Sequence, residues 1–140
     1  QTNAFAYLFD IYPTLCELSG TPIPDGLEGK SLAGVLTGRS RQGPRDTIFL
    51  AYKNLQRAVR RGNWKLIRYP QVNRTQLFDL SKDPNETRDL AADPKHAGKV
   101  RELMALMEQQ QKLFNDTAPL TVDQPKDGKV DESFFRQGSQ

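Results

Sequence analysis

The feature that most limits how this chain can fold is the dipeptide Gly62-Asn63. It lies between two runs in which apolar and basic residues alternate, and this arrangement is a β-hairpin signal. The run before the dipeptide predicts a strand over residues 55–61, with Arg57, Val59 and Arg61 on one face. The run after it predicts a strand over residues 64–69, which Pro70 ends because proline cannot donate a ladder hydrogen bond.

Two further segments have the composition of strands. Residues 47–53 and 76–80 are rich in β-branched and aromatic side chains, which fit a pleated, half-buried surface. Three or four antiparallel strands with one covered face form the smallest sheet that is stable by itself. The sequence therefore predicts a four-stranded antiparallel sheet.

A long helix follows the predicted sheet. Asp93 can cap its first turn, and Pro94 suits the first helical position because the N–H that proline lacks would have no partner there. An apolar stripe at helical spacing runs to about residue 114, comprising Val100, Leu103, Met104, Met107 and Phe114. This stripe needs a surface to pack on, and one face of the sheet provides it. The fold class is therefore α+β, with the long helix on one face of the sheet.

Short helices are predicted before the sheet. Pro13 can be the first residue of a helix that Gly20 ends, and Tyr12 is then extended because it precedes proline. Ser31 can cap a second short helix that ends before Gly38.

The N-terminal segment carries more apolar side chains than an exposed terminus should: Phe5, Tyr7, Leu8, Phe9 and Ile11. Only 36% of the chain is hydrophobic, so the core is modest. We therefore expect part of this apolar surface to be covered by a partner.

Three regions follow from these patterns. Residues 1–38 form a helical and loop segment that needs a cover, residues 39–116 form the sheet and helix, and residues 117–140 form an extended or disordered tail. The chain opens on Gln-Thr-Asn without an initiator Met, so we expect it to be part of a longer protein. No apolar run approaches the roughly 20 residues that span a bilayer, so no membrane partner is predicted.

Positive charge is concentrated around the hairpin. From Arg39 to Arg74 there are ten Lys or Arg and one acid, a net charge of +9, whereas the flanks carry −3 each. Arginine forks bind sulfate, phosphate or carboxylate in a bidentate manner. The candidate site residues are the cations of the two hairpin strands: Arg57, Arg60, Arg61, Lys65 and Arg68. A solvated sheet face, a wall of an anion pocket and a nucleic-acid contact remain open alternatives.

Other chemistry has weak support in the sequence. Cys16 is the only cysteine, which excludes an internal disulfide, and we expect it to be a buried apolar residue. His96 lies 80 residues away at the start of the predicted helix, where we expect it to be exposed. The carboxylates from Asp79 to Asp89 show no Ca²⁺-loop pattern, and we interpret them as turn caps. No catalytic or metal-binding residue is predicted in this chain.

Several motifs follow one another along the chain: Asp10-Ile11-Tyr12-Pro13-Thr14-Leu15, then Gly29-Lys30-Ser31-Leu32, Arg57-Ala58-Val59-Arg60, Trp64-Lys65-Leu66-Ile67, and Leu77-Phe78-Asp79-Leu80 followed by Asp83-Pro84. Their order and spacing together resemble the sulfatase family. The resemblance covers roughly residues 5–114, and Asp89 stands where the family usually has Asn. The part of the family that this chain resembles is the C-terminal subdomain of the formylglycine-dependent (type I) sulfatases.

The resemblance implies a four-stranded sheet crossed by a long helix, and a parent enzyme that hydrolyses a sulfate ester or sulfamate. It also implies formylglycine and Ca²⁺ in a separate N-terminal domain, which would be this chain's partner. Cys16 does not match the family's C/S-x-P-x-R motif, so no cofactor is expected in this chain. By analogy, the hairpin cations would edge a cleft for a sulfated small molecule or glycan, in a periplasmic or secreted protein.

Two other classes of function remain. A nucleic-acid-binding module would use the basic hairpin, and this hypothesis predicts binding that falls steeply with salt. The acidic flanks, which lower the net positive field, disfavour it. A scaffold would pair residues 5–18 with those of a second copy.

Overall fold

A computed structural model of the protein describes residues 2–128. A 3₁₀ turn at Leu8–Asp10 leads directly into the first α-helix. The α-helices are α1 (Ile11–Ser19), α2 (Ala33–Leu36) and α3 (Ala97–Leu113), and the strands are β1 (Thr47–Tyr52), β2 (Gln56–Arg61), β3 (Trp64–Tyr69) and β4 (Arg74–Asp79). Further 3₁₀ turns precede β4, at Pro70–Val72, and α3, at Pro94–His96.

The four strands form one antiparallel sheet in the order β1-β2-β3-β4. Arg61 pairs with Trp64, so Gly62 and Asn63 are the two loop residues of the predicted hairpin, and Gly62 has a φ of +55°. The sequence-based prediction of the sheet is confirmed. The strand β4 begins at Arg74, two residues earlier than predicted, because Asn73 adopts a left-handed conformation that turns the chain back against β3.

The main core lies between one face of the sheet and α3. A row across the sheet, formed by Phe49, Val59, Leu66 and Leu77, is buried together with Leu103, Leu106 and Met107 of the helix. Val100, Met104 and Phe114 pack at its margin, so the predicted stripe is confirmed. Asp93 accepts a hydrogen bond from the N–H of Lys95, which is the predicted cap.

The first helix starts earlier than the sequence predicts. It begins at Ile11, so Tyr12 is helical and Pro13 is its third residue. The first helical N–H groups have no intrahelical acceptor, so proline at the third position removes no hydrogen bond. Gly20 ends the helix with a φ of +71°, as predicted.

One face of α1 is uncovered in this chain. Leu8 has 84% of its surface exposed and Leu15 has 59%, and Ile11, Tyr12 and Leu18 are about half exposed. These five residues, which we call the α1 stripe, recur at helical spacing. The opposite face of α1 is buried through Pro13, Thr14 and Cys16.

Residues 117–128 contain neither helix nor strand, and they pack along the protein. Leu120 contacts the main core, and its carbonyl oxygen accepts a hydrogen bond from Arg68. Asn73 donates to the carbonyl of Val122, and the N–H of Lys126 donates to Gln71. Phe134 and Phe135, where the sequence left open a docking contact, lie outside the described residues.

Candidate anion-binding surface

Arg57 of β2 is an internal structural cation. Only 4% of its side chain is exposed, and its Nε and Nη2 donate to the Asp116 carboxylate at 2.6 and 2.9 Å. Its Nη1 donates to the backbone carbonyls of Lys53 and Gln56. The Arg57 hydrogen bond lowers the pKa of Asp116 to about 2, against the opposing effect of burial. This guanidinium therefore joins β2 to the segment that follows α3.

Arg68 of β3 is the register partner of Arg57 and is also buried. Its three nitrogen groups donate to the Leu120 carbonyl, to Thr75 Oγ1 and to Asn73 Oδ1, at 2.6, 3.1 and 3.0 Å. Burial lowers the pKa of Arg68. All the hydrogen-bond acceptors of Arg68 are uncharged. Through them, Arg68 holds the start of β4 and the segment after α3 against β3.

Arg60 and Lys65 lie on the opposite face of the sheet, where they are register partners. The ammonium of Lys65 is bound by both carboxylate oxygens of Glu86, at 2.7 and 2.8 Å. Arg60 donates to the carbonyl of Gly62, and its guanidinium lies 5.0 Å from the centre of the Phe5 ring. Both side chains are half-buried.

Arg61 is the most exposed of the five predicted site residues. Its side chain is 43% exposed, and it donates to Thr47 Oγ1 at 3.3 Å, with a carboxylate oxygen of Asp46 at 3.8 Å. The structure therefore does not gather the five candidates into one site, because they occupy two faces of the sheet and two of them are buried. That they edge a substrate cleft stays a prediction.

A concave surface nevertheless exists beside Arg61. This groove has a volume of about 720 Å³ and is enclosed by the N-terminal segment, the connector before β1, the β2–β3 turn and the last turns of α3. Four cations line it: Lys30, Arg41, Arg45 and Arg61. Only Arg61 was among the site residues predicted from the sequence, and the other three cations were not. The signal that could have found Arg41 and Arg45 was the positive segment itself, which begins at Arg39, before the hairpin.

Arg45 has a buried partner. The Asp10 carboxylate, which is fully buried, accepts from Arg45 Nε and Nη2 at 3.0 and 2.6 Å and from the N–H groups of Tyr7 and Lys30. Burial opposes ionisation of Asp10, but these hydrogen bonds outweigh it and lower its pKa. The Arg45 guanidinium also lies 4.8 Å from the centre of the Tyr7 ring. Asp10 and Arg45 therefore hold the wall of the groove against α1.

The remaining candidates have structural roles. Cys16 is buried, as predicted. His96 is half-buried against the Trp64 ring, 5.5 Å away between ring centres, which corrects the expectation that it is exposed. Asp83 and Asp89 accept backbone N–H groups in turns, as predicted.

Residues 2–128 lack two features, a metal-binding cluster and a membrane-spanning helix. No three of their His, Cys, Asp or Glu side chains cluster closely enough to hold a metal ion. None of the helices in this part of the chain combines the length and hydrophobicity required to cross a membrane.

Residues 1–113 match the family model described as N-sulphoglucosamine sulphohydrolase, C-terminal. The chain belongs to this family of sulfatase C-terminal domains. This sulfatase domain has the sheet and long helix that the resemblance implied.

Characterised relatives agree with the family. The chain is 32% identical over 106 residues to the Delta 4,5-hexuronate-2-O-sulfatase of Bacteroides thetaiotaomicron, which covers 71% of this chain and 22% of the relative. It is 35% identical over 104 residues to arylsulfatase K of Gallus gallus, and the match covers 65% of this chain and 19% of the relative. The chain thus spans about a fifth of the length of these relatives.

A solved structure gives the same result. The protein crystallised with its substrate D-glucosamine-2-N,6-O-disulfate matches with a TM-score of 0.69 and 26% identity, covering 79% of this chain and 25% of that one. The sulfatase family uses formylglycine and calcium. The described residues of this sulfatase domain do not fit either group, because Cys16 is buried in α1 and no carboxylate cluster is present.

Proposed function

We propose that this chain is the C-terminal subdomain of a sulfuric ester hydrolase that acts on a sulfated carbohydrate, and that it is catalytically silent alone. The observation that carries the proposal is the family match over residues 1–113. Two comparisons support the substrate class, since one relative is named a hexuronate-2-O-sulfatase and one solved neighbour holds a sulfated glucosamine. The formylglycine and Ca²⁺ of the parent enzyme would be held by its N-terminal catalytic domain.

The N-terminal catalytic domain is the partner that we assign to residues 1–38. The α1 stripe exposes Leu8 and Leu15, and burying each such side chain contributes about 1.5–3 kcal/mol. Asp10 and Arg45 tie this helix to the sheet, so α1 can join the core of the catalytic domain to the subdomain of residues 39–116. Of the predicted tail of residues 117–140, residues 117–128 pack on the subdomain, and the remainder lies outside the described residues.

Sulfate release from a sulfated disaccharide tests the catalytic part of this proposal. The full-length protein that contains this chain should release sulfate, measured by ion chromatography, whereas the 140-residue chain should release none. Turnover by the chain alone would overturn the assignment of the chemistry to the missing domain. Cleavage of phosphonate monoesters without sulfate release would overturn the substrate class.

The docking surface has its own test in the full-length protein. Leu8→Gln/Leu15→Gln should lower the melting temperature and the soluble yield, because the stripe would no longer fit an apolar partner surface. Leu55→Gln, at an exposed leucine in the β1–β2 turn, is the matched control and should change little. Light scattering decides against the alternative of self-association if the protein is monomeric. A dimer that the double variant dissociates would instead assign the stripe to a second copy.

A further inference from the structure

We infer that the groove beside the β2–β3 turn binds an anionic oligosaccharide through its sulfate or carboxylate groups. The inference deepens the proposed function and rests on it for the choice of a carbohydrate. The binding groups belong to this chain alone, and none of them is buried in the sheet.

The groove has an unbalanced charge. Among residues 2–128, the side chains of Lys30 and Arg41 make no ion pair, and both are exposed. Arg61 donates to Thr47 Oγ1, and its one charged contact is the distant one with Asp46. The Asp46 side chain is 83% exposed, and among the described residues Asp46 is the only acid of the lining. Arg45 is neutralised by Asp10. The remaining three cations therefore face a concave surface with one acid between them.

The shape and the neutral groups suit a chain of sugars better than a single ion. About 720 Å³ exceeds the volume of one sulfate group, so neighbouring sugar units fit. The amide side chains of Asn3, Gln42 and Gln110 also line the groove. Amide side chains can both donate hydrogen bonds to sugar hydroxyl groups and accept them. Arginine forks bind the anionic substituents of the sugars.

A nucleic acid fits the groove less well. Binding of single strands depends on aromatic rings on which bases stack. Among the described residues, Phe5 is the only aromatic side chain of the lining, and the Arg60 guanidinium lies 5.0 Å from the centre of its ring. The groove therefore offers charge and hydrogen bonds without a stacking platform.

The walls of the groove are built to hold their shape. Gly43 allows the connector to approach the N-terminal segment, because a Cβ at this position would lie 2.8 Å from the Cβ of Ala4. Asp10 fixes the connector from behind through Arg45 and the backbone N–H of Lys30. Lys30 and Arg41 thus project from anchored backbone, which reduces the entropy lost on binding.

The test uses the full-length protein and calorimetric binding of a sulfated tetrasaccharide. Arg41→Gln/Arg61→Gln should weaken binding about tenfold or more, because two charge-assisted contacts are removed. Arg88→Gln/Arg101→Gln removes two exposed charges outside the groove and should change binding less than about twofold. A neutral tetrasaccharide without sulfate or carboxylate groups should bind equally weakly to all three proteins. Equal affinities of the two double variants for the sulfated ligand would overturn the inference.

Two further arms separate the alternatives. The Arg41→Gln/Arg61→Gln variant should raise KM for the sulfated oligosaccharide severalfold more than KM for a small aryl sulfate; an equal rise in both KM values would overturn a separate subsite. A single-stranded oligonucleotide that binds as tightly, with the same loss in the variant, would overturn the carbohydrate assignment. If wild type shows no sulfatase activity, the proposed function fails while the binding arm still tests the groove.

A second variant tests the inference if Arg41→Gln/Arg61→Gln fails to fold. Lys30→Gln changes an exposed side chain and keeps the backbone N–H that binds Asp10. It should weaken binding of the sulfated tetrasaccharide severalfold at an unchanged melting temperature. Unchanged binding by this folded variant would count against the inference.

Discussion

Arg57 and Arg68 are partners in the register of β2 and β3, and both direct their guanidinium groups inward. Each is held by several acceptors, from Asp116 or from neutral oxygen atoms. An arginine in an alternating strand has the same sequence pattern whether its acceptors come from solvent, a ligand or the protein. Their burial therefore could not be predicted from the strand alone.

The Asp116 carboxylate gives a prediction for the dependence of stability on pH. The folded-state pKa of Asp116, about 2, lies below the unfolded value of 3.8. The stability that this ionisation contributes is therefore complete above about pH 5 and is lost progressively as the pH falls through about 2. After allowance for solvent screening, the loss is about 1–2 kcal/mol. Urea unfolding of the chain should show wild type losing stability over this range more than Asp116→Asn does.

Asp116→Asn should also be less stable at neutral pH, because it leaves the buried Arg57 without its counter-charge. The difference from wild type should therefore shrink below pH 4. Glu108→Gln, at an exposed position of α3, is the control and should show no such convergence. A constant difference from pH 7 to pH 2 would contradict the role given to this ion pair.

Among the elements, the hairpin and α3 were predictable and α1 was only partly so. The β2–β3 turn has the left-handed residue that its dipeptide indicates, and Asp93 caps the 3₁₀ turn that leads into α3. The predicted start of α1 was wrong, because the preference of Tyr12 for an extended conformation before proline was outweighed. The Asp10 carboxylate accepts hydrogen bonds from the N–H of Tyr7 and from the Arg45 guanidinium, and these contacts hold the turn that leads into the helix.

Two glycines in different elements give opposite predictions. Gly62 has a φ of +55° in the β2–β3 turn, so Gly62→Ala should lower the free energy of unfolding by about 1 kcal/mol. Gly98 lies in α3, and a Cβ there would contact nothing within 4 Å. Gly98→Ala should raise the free energy of unfolding by about 0.5–1 kcal/mol, because it reduces the entropy of the unfolded chain. Urea unfolding measures both, and a shift of the same sign in both variants would be inconsistent with this assignment.

At the scale of the whole molecule, the segment after α3 joins β3 to the turn that precedes β4. Residues 117–128 supply Leu120 to the core, an acceptor for Arg68 and an acceptor for Asn73. The sequence showed few apolar residues and no period in this region, and it therefore predicted an extended or disordered tail. Its packing depends on acceptors that are backbone carbonyls, which have no side-chain signature.

Removal of this segment should destabilise the chain. Ending the chain after Asp116 removes the acceptor of a buried guanidinium and exposes the surface under Leu120, a loss of about 2–4 kcal/mol. Ending it after Gly128 keeps these contacts and is the control. The urea midpoint and the binding of a hydrophobic dye measure the effect. Equal midpoints for the two truncated chains would show that residues 117–128 do not stabilise the fold.

The local elements of this sulfatase domain are predictable from its sequence, because hairpin turns, caps and apolar periodicity act between neighbouring residues. The sequence also indicates where positive charge is concentrated. It does not indicate which cations are bound by close acceptors inside the protein. Arg57, Arg68 and Lys65 are bound by acceptors distant in sequence, whereas Lys30, Arg41 and Arg61 come together around a groove from three separate segments. A binding surface of this kind depends on contacts that form only when distant segments fold together.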